Sequence, residues 1–169
     1  MKQFDNYPPF YQVQGLTDSK IRNSQLQHWA QHVRSFCLQK QVFLVDLNIV
    51  AQSSLFSSSD KQFQATKDLQ LKIFNYMVQN NQGIWTDSNK QACWIYTSNT
   101  MINDIAQAIT MKAQDDIMTI DEAQQCLQGS QYEKVPTQFF IIIIKELAKL
   151  QMLSIVLDGQ KIEGIKIKQ

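Results

Sequence analysis

The sequence predicts a mainly helical α+β protein: two tandem domains of one kind behind an extended amino-terminal arm. Three observations carry that reading. Apolar residues recur at helical spacing in both halves of the chain, with short β-type runs placed between them in the same order. Helix-start signals stand ahead of those stretches, at Ser24 with Gln27, at Thr66, and at Thr119 with Glu122. Before any of this comes Tyr7-Pro8-Pro9-Phe10-Tyr11, aromatic at three of five positions and stiffened by two prolines.

That arm occupies residues 1–18. A segment held extended in advance loses less entropy on docking, and aromatics are frequent interface anchors, so it suits recognition. The plainer reading is that Phe10 and Tyr11 fold back as a clasp over their own domain. The residues alone leave both open.

The first domain spans 19–98. After a loop through Gln14-Gly15 and Thr17-Asp18-Ser19, the Ser24/Gln27 spacing opens a helix whose apolar stripe is Leu26, Trp29, Ala30, Val33, Phe36 and Cys37. His28 and His32 fall on the opposite face. Spaced for chelation at i, i+4, they lack a third and fourth ligand, so no metal is expected. Val42-Phe43-Leu44-Val45 reads as a strand, and Asp46 as the cap of a brief helix through Ala51. Ser53 to Asp60 is a loop. Thr66 caps the next helix, with Asp68 in its first turn, Leu69, Ile73, Phe74 and Met77 inward, and Gly83 as its stop. Ile84-Trp85-Thr86, the turn Asp87-Ser88-Asn89-Lys90 and Ala92 to Thr97 make a hairpin.

The second domain, 99–169, repeats the order. Ile102, Ile105, Ala106 and Ile109 mark a helix, Ile117-Met118 a strand, and Thr119/Glu122 a capping box before a helix that Gly129 stops. Pro136 suits the first turn of a helix running to Leu150. Its Phe139-to-Ile144 run also fits a buried strand, but continuation into Lys145-Glu146-Leu147-Ala148-Lys149-Leu150 favours helix. Ile155-Val156-Leu157, a turn at Asp158-Gly159, and Ile162 to Ile167 close the chain. Helix, strand, helix, helix, hairpin is the order of a winged helix, here given twice.

Little in the sequence supports catalysis. The five glycines form no phosphate-cradling array, and the two histidines share one helix. Asp115-Asp116 and Asp121-Glu122 read as a loop pair and a helix first turn, and Cys37, Cys93 and Cys126 as core thiols. Three widely spaced cysteines give neither a disulfide framework nor a zinc knuckle, so a reduced, intracellular setting and no cofactor are expected. The longest apolar run is too short to cross a bilayer. Lys+Arg 16 against Asp+Glu 15 leaves a charge of +1, with no electrostatic footprint for nucleic acid. The third helix of the first copy has Lys61, Lys67 and Lys72 offset by Asp60 and Asp68, and that of the second is apolar nearly all round. A tandem winged helix binding nucleic acid is therefore the disfavoured rival. A second rival is a WW-domain ligand, because Pro8-Pro9-Phe10-Tyr11 fits Pro-Pro-x-Tyr.

Taken with Gln25-Leu26, Trp29, Ser35-Phe36-Cys37, Ser54-Leu55-Phe56, Gly83 to Trp85, Asp158-Gly159 and Gly164-Ile165-Lys166, the arm resembles that of the small subunit family of the endosomal ESCRT-II complex. The resemblance covers essentially the whole chain. It implies a non-enzymatic adaptor, cytoplasmic and recruited to the endosomal membrane only through its complex, serving the sorting of ubiquitinated cargo into multivesicular bodies. It further implies that the arm, here Tyr7, Pro8, Pro9, Phe10 and Tyr11, docks into a hydrophobic pocket on each of the two larger ESCRT-II subunits. Two copies of the chain would then enter each Y-shaped complex. Where the family commonly carries two phenylalanines, this chain has Phe10-Tyr11. The second winged helix would recruit the nucleating ESCRT-III subunit, through residues within 99–169 that the resemblance does not place. An acidic insertion of some relatives is reduced here to Ser130 to Val135.

Overall fold

The computed structural model describes residues 11, 19–49, 54–58, 62–113 and 115–167. The chain divides into two compact units, Met1–Thr97 and Ser98–Gln169.

The first unit contains α1 (Ser19–Lys40), β1 (Leu44–Asp46), α2 (Lys67–Gln79), β2 (Gly83–Trp85) and β3 (Ala92–Ile95). Its strands pair antiparallel in the order β1-β3-β2, with Leu44 opposite Trp94 and Gly83 opposite Ile95. The α1 stripe is as read: Trp29, Ala30, Val33 and Cys37 are buried, flanked by Leu26 and Phe36. Thr66 caps α2, its hydroxyl accepting from the Leu69 amide at 3.2 Å, and Leu69, Ile73, Phe74 and Met77 point inward.

Three backbone expectations in the first unit are corrected. α1 starts at Ser19, so Ser24 is interior, its carbonyl accepting from His28 Nδ1 at 2.7 Å. Lys20 to Asn23 contain no breaker, so the helix propagates past the apparent cap. Asp46 caps a turn and not a helix over Leu47–Ile49: its Oδ1 accepts the Asn48 amide at 2.7 Å, the Asx-turn bond that competes with capping. Beyond that turn, the described residues between β1 and α2 hold a short turn at Ser54-Leu55 and an irregular hairpin. The Ala65 amide reaches the Phe56 carbonyl and the Ser58 amide the Phe63 carbonyl, both at 2.8 Å. Gly83, finally, does not stop α2. Asn81 supplies the left-handed residue with φ 55°, while Gly83 opens β2, where a Cβ would come 2.8 Å from the Trp94 carbonyl oxygen.

The second unit contains α3 (Met101–Lys112), β4 (Ile117–Thr119), α4 (Ile120–Gln125), α5 (Thr137–Lys149), β5 (Leu153–Asp158) and β6 (Lys161–Ile167), with strand order β4-β6-β5. The Thr119 capping box closes in both directions: Thr119 Oγ1 accepts the Glu122 amide at 3.2 Å, and Glu122 Oε2 accepts the Thr119 amide at 2.7 Å. Phe139 to Ile144 is helix. Phe139, Phe140, Ile143, Ile144 and Leu147 are fully buried, and Ile141 and Ile142 half-buried. Pro136 precedes α5 as its cap residue and is not inside the first turn. The tight loop is Gly159-Gln160, one residue later than expected, because Asp158 pairs with Lys161. Gly159 takes φ 58° at its first position. Both units are winged helices, and the protein is an α+β tandem of them.

Candidate functional site: the root of the arm

Aromatic rings converge around Tyr11 in the first unit. Tyr11 is only 5% exposed; its ring stands edge-on to Trp29 at 5.6 Å and stacks on Phe63 at 5.9 Å with planes 25° apart. Trp29, from α1, also faces Phe56 at 6.1 Å, and Phe56 meets Phe74 of α2 edge-on at 5.9 Å. Phe74 in turn meets Trp85 of β2 at 6.0 Å, so one run of rings links the arm root to the first wing. Such pairs add to area burial by about 0.5–1.5 kcal/mol each.

Hydrogen bonds fix the pieces that carry these rings. His32 Nε2 lies 2.9 Å from the Leu55 carbonyl and therefore donates to it, while the imidazole leans on Trp29 at 5.7 Å. This tethers the Ser54–Ser58 segment to α1. Ser58, 3% exposed, accepts the Phe63 amide on its Oγ at 3.0 Å, which holds Phe63 against Tyr11.

Of the five arm residues, Tyr11 alone lies among the described residues; Tyr7, Pro8, Pro9 and Phe10 fall outside them. Tyr11 packs into its own domain, as the clasp reading has it, and in this position offers no ring to a partner. The WW-ligand reading loses its accessible tyrosine on the same ground. The expectation for His32 is corrected: it is half-buried on Trp29 and not on the face away from the stripe. It and His28 bond different backbone carbonyls, so the pair does not converge on a shared ligand. Phe63 went unread in the sequence because its partners lie far along the chain, and no local spacing marks it.

The reactive groups elsewhere are occupied structurally. Burial pushes the Cys37 and Cys93 thiols up to about 12 and raises Cys126 as well, which suppresses thiolate chemistry. In the second unit the Tyr132 hydroxyl donates to Asp104 Oδ2 at 2.7 Å and accepts from Gln131 Nε2 at 2.9 Å, with Ser98 Oγ also at 2.9 Å. That network ties the start of α3 to the stretch before α5. Among the described residues no three His, Cys, Asp or Glu side chains gather where they would hold a metal ion. On α2, Lys72 is paired with Asp68 at 2.9 Å, which subtracts from any phosphate-binding surface.

Two winged helices in tandem, the first with an aromatic seat around Tyr11, place the chain in the class of tandem winged-helix proteins. The family model described as ESCRT-II complex subunit matches residues 4–139, and the chain belongs to that family. It is similar to vacuolar protein sorting-associated protein 25 of Arabidopsis thaliana, 24% identical over 127 residues covering 72% of this chain and 68% of that protein. It is also 26% identical to the Danio rerio protein of that name over 90 residues, 53% of this chain and 51% of the other. Its fold is similar to that of the crystal structure of subunit VPS25 of the endosomal trafficking complex ESCRT-II, with TM-score 0.79 and 17% identity over 98% of this chain and 97% of that one. The same holds for a chain of the endosomal complex ESCRT-II (VPS22/VPS25/VPS36), with TM-score 0.74 and 15% identity at the same coverage.

Proposed function

We propose that this chain is the small adaptor subunit of ESCRT-II, joining the two larger subunits through its arm and first winged helix. The observation that carries the reading is the reach of the family match, which starts at residue 4 and so runs through the arm and the whole first unit. In this reading Tyr7 to Phe10 dock on the larger subunits, and two copies of the chain enter each complex. The second winged helix, residues 99–169, recruits the nucleating ESCRT-III subunit, and membrane contact comes through the complex at the endosome. No described helix is long and apolar enough to cross a membrane.

The test is co-purification. Phe10→Ala should leave the circular dichroism spectrum unchanged while weakening assembly with the larger subunits by about 2 kcal/mol or more, the scale of a buried anchor. The Pro8→Ala, Pro9→Ala pair should act in the same direction, less strongly, through lost preorganisation. A fragment of residues 98–169, first shown to be folded, should still capture the ESCRT-III partner. Normal assembly by Phe10→Ala, or capture of that partner by residues 1–97 alone, would sink this assignment of roles.

A further inference from the structure

Resting on the adaptor reading, we infer that Tyr11 is not a docking residue but the pin that fixes the arm, and that Trp29 and Phe63 are positioning residues for partner docking. Tyr11 is held between the edge of one ring and the face of another, at 5.6 and 5.9 Å, and is only 5% exposed. Phe63 is the half-buried member of the trio, so it closes the seat from the solvent side. Its backbone is held by Ser58 from both directions, the Phe63 amide donating to Ser58 Oγ at 3.0 Å and the Ser58 amide to the Phe63 carbonyl at 2.8 Å. The irregular hairpin between β1 and α2 thus has a use: it delivers Phe63 to the arm root.

Covalent geometry extends the argument. Adjacent Cα atoms are about 3.8 Å apart, so a partner pocket that takes Phe10 must abut the seat itself. The four residues Tyr7 to Phe10 reach at most about 14 Å from the pin. Pinning Tyr11 therefore removes backbone freedom that docking would otherwise have to remove, and sets where the partner surface meets the first unit.

The experiment measures affinity of the full chain for the two larger ESCRT-II subunits at a temperature where every variant is folded by circular dichroism. Tyr11→Ala and Phe63→Ala should each weaken binding about tenfold, the scale of one backbone residue left to be ordered on docking. The double variant should be no weaker than the worse single one. Core variants on α2, Ile73→Val and Met77→Ala, bracket the loss of melting temperature caused by Phe63→Ala and should keep parental affinity. If Phe63→Ala binds no more weakly than those controls, or if Tyr11→Ala weakens binding while Phe63→Ala does not, the pin is overturned. Phe10→Ala is run alongside, and parental binding by that variant would instead remove the arm reading beneath it.

Discussion

Gly164→Ala should cost the second unit about 2 kcal/mol and leave the first untouched. Gly164 pairs with Thr119 of β4, and a Cβ there would lie 2.5 Å from the Met118 carbonyl oxygen and 3.3 Å from its carbon. Ordinary contact is about 3.5 Å, so β4 and β6 would have to part by roughly 1 Å. Both atoms in the clash belong to the main chain, and no side-chain rotation relieves it. Hydrogen bonds stretched by that much from about 2.9 Å are lost, at about 1 kcal/mol each, and fully buried Ile165 beside them must shift. Overpacking of this kind costs about 1–3 kcal/mol, offset by about 0.4–1 kcal/mol from a stiffer unfolded chain. For a domain of this size a net 2 kcal/mol lowers the melting temperature by roughly 10 °C.

The two units can be followed separately, because Trp29, Trp85 and Trp94 all lie in the first unit and the second has no tryptophan. Far-UV circular dichroism should show an early transition in the variant while tryptophan emission melts as in the parent. Gly129→Ala is the contrasting control, with nothing within 4 Å of its added Cβ but a φ of 76°. It should cost about 1–2 kcal/mol through backbone strain alone. A Gly164→Ala protein with parental melting by dichroism would refute the close-approach argument. Equal shifts in both signals would show that the units unfold as one.

Three more outcomes are expected. Thr66→Ala, which removes the hydroxyl capping α2, should cost the first unit about 1 kcal/mol, read as an earlier tryptophan transition. The Thr119 amide, and then its hydroxyl, hold the Glu122 carboxyl below its ordinary value. Its contribution is thus complete above the unfolded-state value and lost as pH falls through the depressed one, so denaturation midpoints of Glu122→Gln should depend less on pH along that acid limb than the parent's. On α5, Ile141→Lys or Ile142→Lys should raise solubility with the fold intact, since a half-buried lysine keeps its head in water, whereas Ile143→Lys should unfold the unit; unchanged solubility and folding in all three would contradict the burial pattern.

The elements readable in advance were those specified by contiguous residues. The α1 stripe and the inward face of α2 follow from spacing, and the Thr119/Glu122 box follows from two side chains one turn apart. The misreadings share a cause: one residue type serves two local structures, and only the surroundings choose between them. Asp46 satisfies an amide equally well at a helix start or in an Asx turn, and the structure uses the turn. Glycine suits both a left-handed stop and a close approach. Gly83 serves the second purpose, while Asn81 tolerates the left-handed position. Ser24 matched a cap, but propagation back to Ser19 met no obstacle.

The arm divides by the same logic. Composition marks Tyr7, Phe10 and Tyr11 alike as rings seeking a surface, and nothing local says which surface each will find. For Tyr11 the answer comes from Trp29, eighteen residues on, and from Phe63, brought in by a hairpin whose own register depends on Ser58. An aromatic that buries itself against its own domain contributes no area to a partner, yet it removes the freedom of its neighbour. In the proposed complex the last ring of the motif therefore acts through the backbone and the earlier ones through contact. Adjacent positions of one motif should then respond differently to the same truncation: Phe10 loses contact area, whereas Tyr11 loses only the restraint that aims it.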